Sequence, residues 1–162
     1  MMTNLEEKIA ELEARLNLLE AERGILQALY RYGHVVDYGP VEERLDCFTE
    51  DGVFHLVPKG KVITEFHCNG RKELFEKWAR DHTAAPAAYH KHVMVEPRIT
   101  LLSDHEARVE SMFCRWDNRD GVPYTSCYGR YVDCMVKCPD GVWRFKERTA
   151  EIETLSSALT PT

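Results

Sequence analysis

Residues 89–102, YHKHVMVEPRITLL, open four apolar-alternating stretches that decide the fold. The others are EARVESMFCRWD at 106–117, PYTSCYGRYVDCMVK at 123–137 and VWRFKERTAEIE at 142–153. Between them stand LSDH, NRDG and CPDG, whose Asp, Asn, Pro and Gly supply the backbone conformations of tight corners. Stretches this rich in β-branched and aromatic residues, joined this briefly, predict successive antiparallel hairpins and hence a four-strand meander.

Working back toward the N-terminus, GVFHLVP (52–58) and KVITEFHC (61–68) read as two further strands. NGRKELFEKWARDH (69–82) reads as a helix with Asn69 as its cap and Leu74, Phe75 and Trp78 on its buried face. PVEERLDCF (40–48) is a short helix with Pro40 in its first turn and Val41, Leu45 and Phe48 on one face, closed by the turn TEDG (49–52). From Leu5 the apolar residues step 4, 3, 4, 3 through Ile9, Leu12, Leu16 and Leu19, after which the next step lands on Arg23 and the following one on Leu26. This is a heptad seam. It is too short for a coiled coil standing alone and continues into ILQALYRYGHVVDYG (25–39). The segment is therefore one long helix, or two with a break near Gly24, ending before Gly39-Pro40. Its first part packs on another subunit or on the sheet, or lies solvated along its own domain. Residues 83–88, TAAPAA, form a loop, and 156–162, SSALTPT, a loose tail.

Helices first, one strand pair, a helix and then a meander make an α+β layout, one curved sheet wrapped on helices. The expected division is a helical extension at 1–20, one domain at 21–155 and the tail. A chain of 162 residues, 44% hydrophobic with 16 aromatics (3 Trp, 7 Tyr, 6 Phe), has ordinary globular composition for one domain. A net charge of −6 leaves no basic surplus for nucleic acid or an anionic membrane. No apolar run approaches the roughly 18 residues of a membrane span, and the expected location is the cytoplasm. Cys47, Cys68, Cys114, Cys127, Cys134 and Cys138 include no C-x-x-C pair and are read as reduced thiols, mostly small core residues.

Asp37, in HVVDYG, ends an apolar helical stretch whose other inward residues would be Leu29, Tyr30, Gly33 and Val36. An acid there must be paired or lose its charge; the alternative is a plain turn acid beside Gly39-Pro40. Tyr32, five residues earlier, reaches the same cavity mouth or belongs to the core. In YHKHVMVE the strand period puts His90, His92, Met94 and Glu96 on one face. That run matches half of a cupin ligand pattern, but the flanking glycines and a later His are missing, so no metal site is assigned. His67 and Cys68, adjacent in a strand, point to opposite faces and make no nucleophile pair. Arg144, Lys146 and Arg148 share one parity of the last strand and by default form a solvated basic stripe, opposite Trp143 and Phe145. No phosphate loop or nucleophile elbow occurs.

DYGPVEERLDCFTEDGVFHL after a long helix, HVMVEPRITLLSDHEARVES in the first meander strands and YGRYVDCMVKCPDGVWRFKER at the end together resemble the SnoaL-like members of the nuclear transport factor 2-like superfamily, over roughly residues 20–155. The resemblance implies a cone-shaped α+β fold whose curved, mostly antiparallel sheet encloses a deep apolar pocket. Trp78, Phe54, Met94, Phe113 and Tyr131 are its expected substrate-binding lining. Scytalone dehydratase, γ-hexachlorocyclohexane dehydrochlorinase and bile-acid 7α-dehydratase are the similar enzyme groups, which eliminate a small leaving group without metal or cofactor through a His and an Asp. On this sequence Asp37 matches their helix-end Asp and His92, six residues before Arg98, their catalytic His. Tyr32 falls where the bile-acid enzyme has a catalytic Tyr, and Arg148, five residues after Trp143, where the dehydrochlorinase has its Arg. A further acid of the bile-acid enzyme falls in FCRWDN, where Arg115 or Asp117 stands.

The resemblance thus implies a cofactor-independent lyase or isomerase acting on an apolar, cyclic small molecule. His92 is the base, Asp37 its orienting partner, and Tyr32 and Arg148 donors to the oxyanion or leaving group. The alternatives are a non-catalytic binding or assembly subunit, like dioxygenase β subunits, and a metal protein built on the His90–His92 face. The seam and the superfamily habit favour a homo-oligomer, a trimer or dimer.

Overall fold

The computed structural model describes residues 4–59, 66–82, 84–85 and 87–155. Its elements run α1 (Asn4–Tyr38), α2 (Val41–Leu45), β1 (Phe48–Pro58), β2 (Phe66–Asn69), α3 (Gly70–Asp81), β3 (Lys91–Leu101), β4 (Glu106–Arg119), β5 (Val122–Lys137) and β6 (Trp143–Leu155). The described strands form one curved, unclosed sheet in the order β2-β1-β6-β5-β4-β3. Every neighbouring pair is antiparallel except β1 and β6, which run parallel. The expected α+β meander is present. The tail at 156–162 and residues 61–65 of KVITEFHC lie outside the described residues.

Hairpin corners follow the turn chemistry read from the sequence. Asp120 and Gly121 take left-handed conformations (φ 52° and 83°), and the Asn118 side chain accepts the Gly121 N–H at 2.8 Å. Gly141 (φ 80°) closes the β5–β6 corner, where the Gly141 N–H meets the Cys138 carbonyl at 2.8 Å and the Cys138 N–H meets that of Val142 at 2.9 Å.

α1 is one unbroken helix. Residues 4–20 are exposed along its whole first half, and burial begins at Ala21 and continues through Ile25, Leu29, Tyr32, Val35, Val36 and Asp37. The inward stripe therefore steps 4, 3, 4 from Ile25 through Leu29 and Tyr32 to Val36. Tyr30, expected inward, is 59% exposed, because it lies about 100° round the helix from Leu29. α1 rests on the sheet through Tyr32, whose ring makes edge contacts with Phe48, Tyr131 and Phe145.

Three further expectations are corrected. α2 stops at Leu45, and Phe48 starts β1 instead of completing a helical face, so the TEDG segment becomes a register irregularity within β1. Gly52 is required there, since a Cβ would sit 2.9 Å from the Thr49 carbonyl oxygen. On α3, Leu74 and Trp78 are buried but Phe75 is 41% exposed. Asn69 occupies the cap position without a side-chain cap bond; the Glu73 carboxylate instead reaches back to the Asn69 N–H at 2.7 Å, as in half of a capping box.

The consequential correction is in β6. Cys134 pairs with Glu147 and Met135 with Phe145, leaving Lys146 as a one-residue bulge. A bulge shifts side-chain parity. Trp143 and Phe145 point inward before it, and Arg148, Ala150 and Ile152 point inward after it. Arg148 is thereby removed from the solvated stripe and fully buried.

All six cysteines are free. No described helix is long and apolar enough to cross a membrane.

Candidate active site

The end of α1 meets the start of β3. Asp37 is buried there, and its carbonyl accepts the Ala85 N–H at 3.1 Å, which ties the helix end to the following loop. Its carboxylate receives the backbone N–H of His92 at 3.2 and 3.0 Å and the His92 ring Nδ1 at 2.7 Å. Burial by itself raises the Asp37 carboxyl. The His92 ring hydrogen bond, the attraction of that ring, its backbone N–H and His90 outweigh burial and hold the carboxyl below its ordinary value. An ionised carboxylate only accepts hydrogen bonds, so the proton of the neutral ring sits on Nδ1, and Nε2 is left as the basic atom.

Two other imidazoles pack around this pair. The His82 ring lies 5.0 Å from that of His90, which lies 5.1 Å from that of His92. His82 donates from Nε2 to the Val36 carbonyl at 2.7 Å. Burial lowers His82 and His90 to about 4 each, so both are neutral near pH 7. His90 Nε2 stands 3.6 Å from Asp37 and makes no hydrogen bond among the described residues.

His92 also lines a cavity of about 230 Å³ between α1, α3 and the concave sheet. Tyr32, Phe54, Trp78, Phe113 and Tyr131 give it aromatic walls, and Lys77, His82 and Arg115 add polar groups beside His92. Arg115 is fixed by Asp117 at 2.8 Å. Burial drives the Tyr32 hydroxyl up to about 12 against the pull of Arg148, so it stays protonated and able to donate.

Two expected members stand elsewhere. Met94 keeps the face of His92 that the strand period gives it but is absent from the cavity lining; it lies under α1, its methyl 3.3 Å from where a Cβ on Gly33 would stand, in a groove that it shares with His92, Asp37 and Trp116. Arg148 is outside the cavity lining. Its guanidinium carbon sits 3.7 Å over the Tyr131 ring and 4.1 Å over the Tyr32 ring, and its Nη2 is 3.1 Å from Met94 Sδ. Asp133, its cross-strand partner, approaches Nε at 3.3 Å with both side chains fully buried. Burial raises the Asp133 carboxyl to about 7, with Arg148 opposing. Sequence reasoning missed Asp133 because only the β5–β6 register, including the bulge, sets it opposite Arg148. His82 was missed because its signal, a helix-terminal His, is common.

The metal alternative changes its ligands. Glu96 is exposed at a β3 irregularity with φ 54°, so it does not join His90 and His92. Asp37 does, and the three present ligand atoms within 4.8 Å of one another. The 2.7 Å separation of His92 Nδ1 and Asp37 Oδ1 is shorter than the roughly 3 Å between two ligands that share an ion at bonds of about 2.1 Å. The geometry is that of a hydrogen-bonded pair.

The SnoaL-like domain family matches residues 17–149. The chain belongs to this family. None of the curated proteins matches it significantly. Among solved structures, the SnoaL-like chain is similar to a nuclear transport factor 2-like protein with a cystatin-like fold from Novosphingobium aromaticivorans, at 23% identity over 92% of each chain and a TM-score of 0.75. It is also similar to a provisionally named scytalone dehydratase from that organism, at 22% identity over 90% of this chain and 93% of that one, TM-score 0.70. The β subunit of a provisionally named aromatic-ring-hydroxylating dioxygenase, again from that organism, shares 19% identity over 84% and 91%, TM-score 0.70. At these identities the likeness is one of fold.

Proposed function

We propose that this chain is a cofactor-independent lyase or isomerase for an apolar cyclic small molecule, with His92 as base and Asp37 as the group that orients it. The observation that carries the proposal is the 2.7 Å contact between Asp37 and His92, made by a histidine in the wall of an aromatic-lined cavity. The fold likeness to a provisionally named scytalone dehydratase supports the same reading.

In this scheme His92 Nε2 takes a proton from the carbon beside a substrate carbonyl, and the C–H electron pair moves onto the carbonyl oxygen as an enolate. The carbonyl re-forms with expulsion of a β-hydroxyl, which takes back the proton held on His92 Nε2 and leaves as water, so that the base is regenerated; in an isomerisation the same proton returns to a different carbon. Asp37 stabilises the imidazolium, as the acid of a triad does. Tyr32 donates to the enolate oxygen or the leaving group. Arg148 acts from behind the Tyr32 and Tyr131 rings, and Arg115, in the lining, is the nearer positive charge. A cytoplasmic location and the division at 1–20 and 21–155 belong to the same proposal.

The test is a panel of cyclic β-hydroxyketones incubated in D₂O, followed by ultraviolet absorbance for the enone and by mass for deuterium at the α-carbon. Turnover that disappears in His92→Ala, with the variant still folded, is the expected result. Absence of any His92-dependent exchange or elimination would replace this reading with a binding or assembly subunit, the alternative that the likeness to a dioxygenase β subunit supports.

A further inference from the structure

The first half of α1 lies outside everything the site requires. Leu5, Ile9, Leu12, Leu16 and Leu19 are 68%, 47%, 58%, 54% and 61% exposed, so the heptad seam packs neither on the sheet nor along its own domain. A helix face this apolar and this regular is built to be covered.

Charges beside the seam identify the cover. With Leu5, Leu12 and Leu19 at d and Ile9 and Leu16 at a, the e positions are Glu6, Glu13 and Glu20, and the g positions are Lys8 and Arg15, followed by Glu22. In a parallel pair each g residue faces the e residue five positions on in the other helix. Lys8 then meets Glu13, and Arg15 meets Glu20, each twice by symmetry. In an antiparallel pair g faces g and e faces e, which sets Lys and Arg against one another and Glu against Glu. The sign pattern thus selects a second copy of the same segment, in the same direction. Of the two apolar a positions, Ile9 beside Leu at d is the combination that favours two strands over three, and Leu16 is the other. Arg23 at the next a position, exposed in the structure, ends the seam where the domain begins.

We infer that residues 4–20 of two copies pair as a parallel, two-stranded coiled coil. The pairing is independent of whether the chain is an enzyme.

Leu5→Cys tests direction, because a d position at one end of the seam meets its own copy only in a parallel pair; Leu12, near the middle, would do so in either. Mild oxidation of L5C should give a reducible dimer on a non-reducing gel, absent from the wild type with its six native thiols. K8E/R15E in the L5C background should slow cross-linking at least tenfold. Mixing it with a size-tagged E13K/E20K chain, also carrying L5C, should restore the bond as a mixed dimer. L12E/L16E, which alters only exposed positions, should halve the light-scattering mass. No cross-link above wild type, a cross-link indifferent to charge reversal, or a mass unchanged or cut to one third in L12E/L16E would each overturn the proposal. So would a wild-type monomer at 50 µM, which would leave a foreign helix as the occupant.

Discussion

Asp37→Asn removes one charge and turns one acceptor oxygen into a donor without changing size. The amide oxygen can keep the His92 backbone N–H, now a neutral bond in place of contacts at 3.2 and 3.0 Å to a carboxylate. The amide nitrogen then faces His92 Nδ1, where two donors meet. The ring resolves this by moving its proton to Nε2, which makes Nδ1 an acceptor and removes the base from the cavity. Exchanging a charge-assisted bond worth about 1.5–3 kcal/mol for a neutral one worth about 0.5–1.5 lowers stability by about 1–2 kcal/mol at pH 7. The Asp37 carboxyl is lowered in the folded chain from an ordinary 3.8. Its stabilisation is therefore complete above that value and fades as pH falls through the lower folded one, so the wild-type advantage should shrink below about pH 4. Urea titrations at pH 7 and pH 3.5 measure the stability, and ¹⁵N–¹H spectra of the imidazoles report the tautomer directly. Turnover of any substrate found should fall by about two to four orders of magnitude. A wild-type His92 protonated on Nε2, or equal stability of D37N and wild type at pH 7, would refute the reasoning.

Asp133 gives the opposite pH signature: its carboxyl rises from 3.8 to about 7, so the stability it lends is full below the lower value and is lost as pH rises through the higher one. The free-energy gap between wild type and Asp133→Asn should drift between pH 4 and 7 in urea titrations and level off outside that window; a gap constant with pH contradicts it. Gly129→Ala should destabilise by more than about 3 kcal/mol, since a Cβ there would lie 1.9 Å from the Glu151 carbonyl oxygen and backbone cannot yield as a side chain can; a small shift in a thermal melt would mean that β5 and β6 part easily. Protein dialysed without metal should hold far less than one equivalent of zinc, iron or nickel by elemental analysis, and a chelator should leave its melting temperature unchanged; stoichiometric metal would assign Asp37, His90 and His92 to an ion instead.

Turn residues made the meander legible, because Asn118, Gly121 and Gly141 each answer a local backbone demand that no distant contact alters. The α1 stripe was legible in period but displaced in phase at Tyr30, since an apolar aromatic gives no sign of which side of the boundary it occupies. Strand parity placed His92 on the inner side of β3 because it precedes the irregularity at Glu96, and His90, one residue before the strand begins, continues the same alternation. β6 defeated the same rule. The Lys146 bulge depends on how β5 pairs, which is a property of two strands, and Lys146 carries no local mark of it. The approach of Asp37 to His92, separated by 55 residues, is likewise set by the fold: neither segment contains anything that requires the other, and the resemblance alone pointed to their meeting.

The projecting half of α1 has a hydrodynamic consequence. A compact chain of 162 residues has a radius of gyration of roughly 15 Å, and seventeen helical residues standing clear of it add about 25 Å in one direction. Friction grows with elongation, so the protein should leave a gel-filtration column ahead of globular standards of equal mass, whether single or paired. Column calibration would overstate its mass, whereas scattering at zero angle would not. The small-angle pair-distance distribution should carry a long, low tail beyond the main peak, and truncation at residue 20 should remove that tail and leave the peak in place.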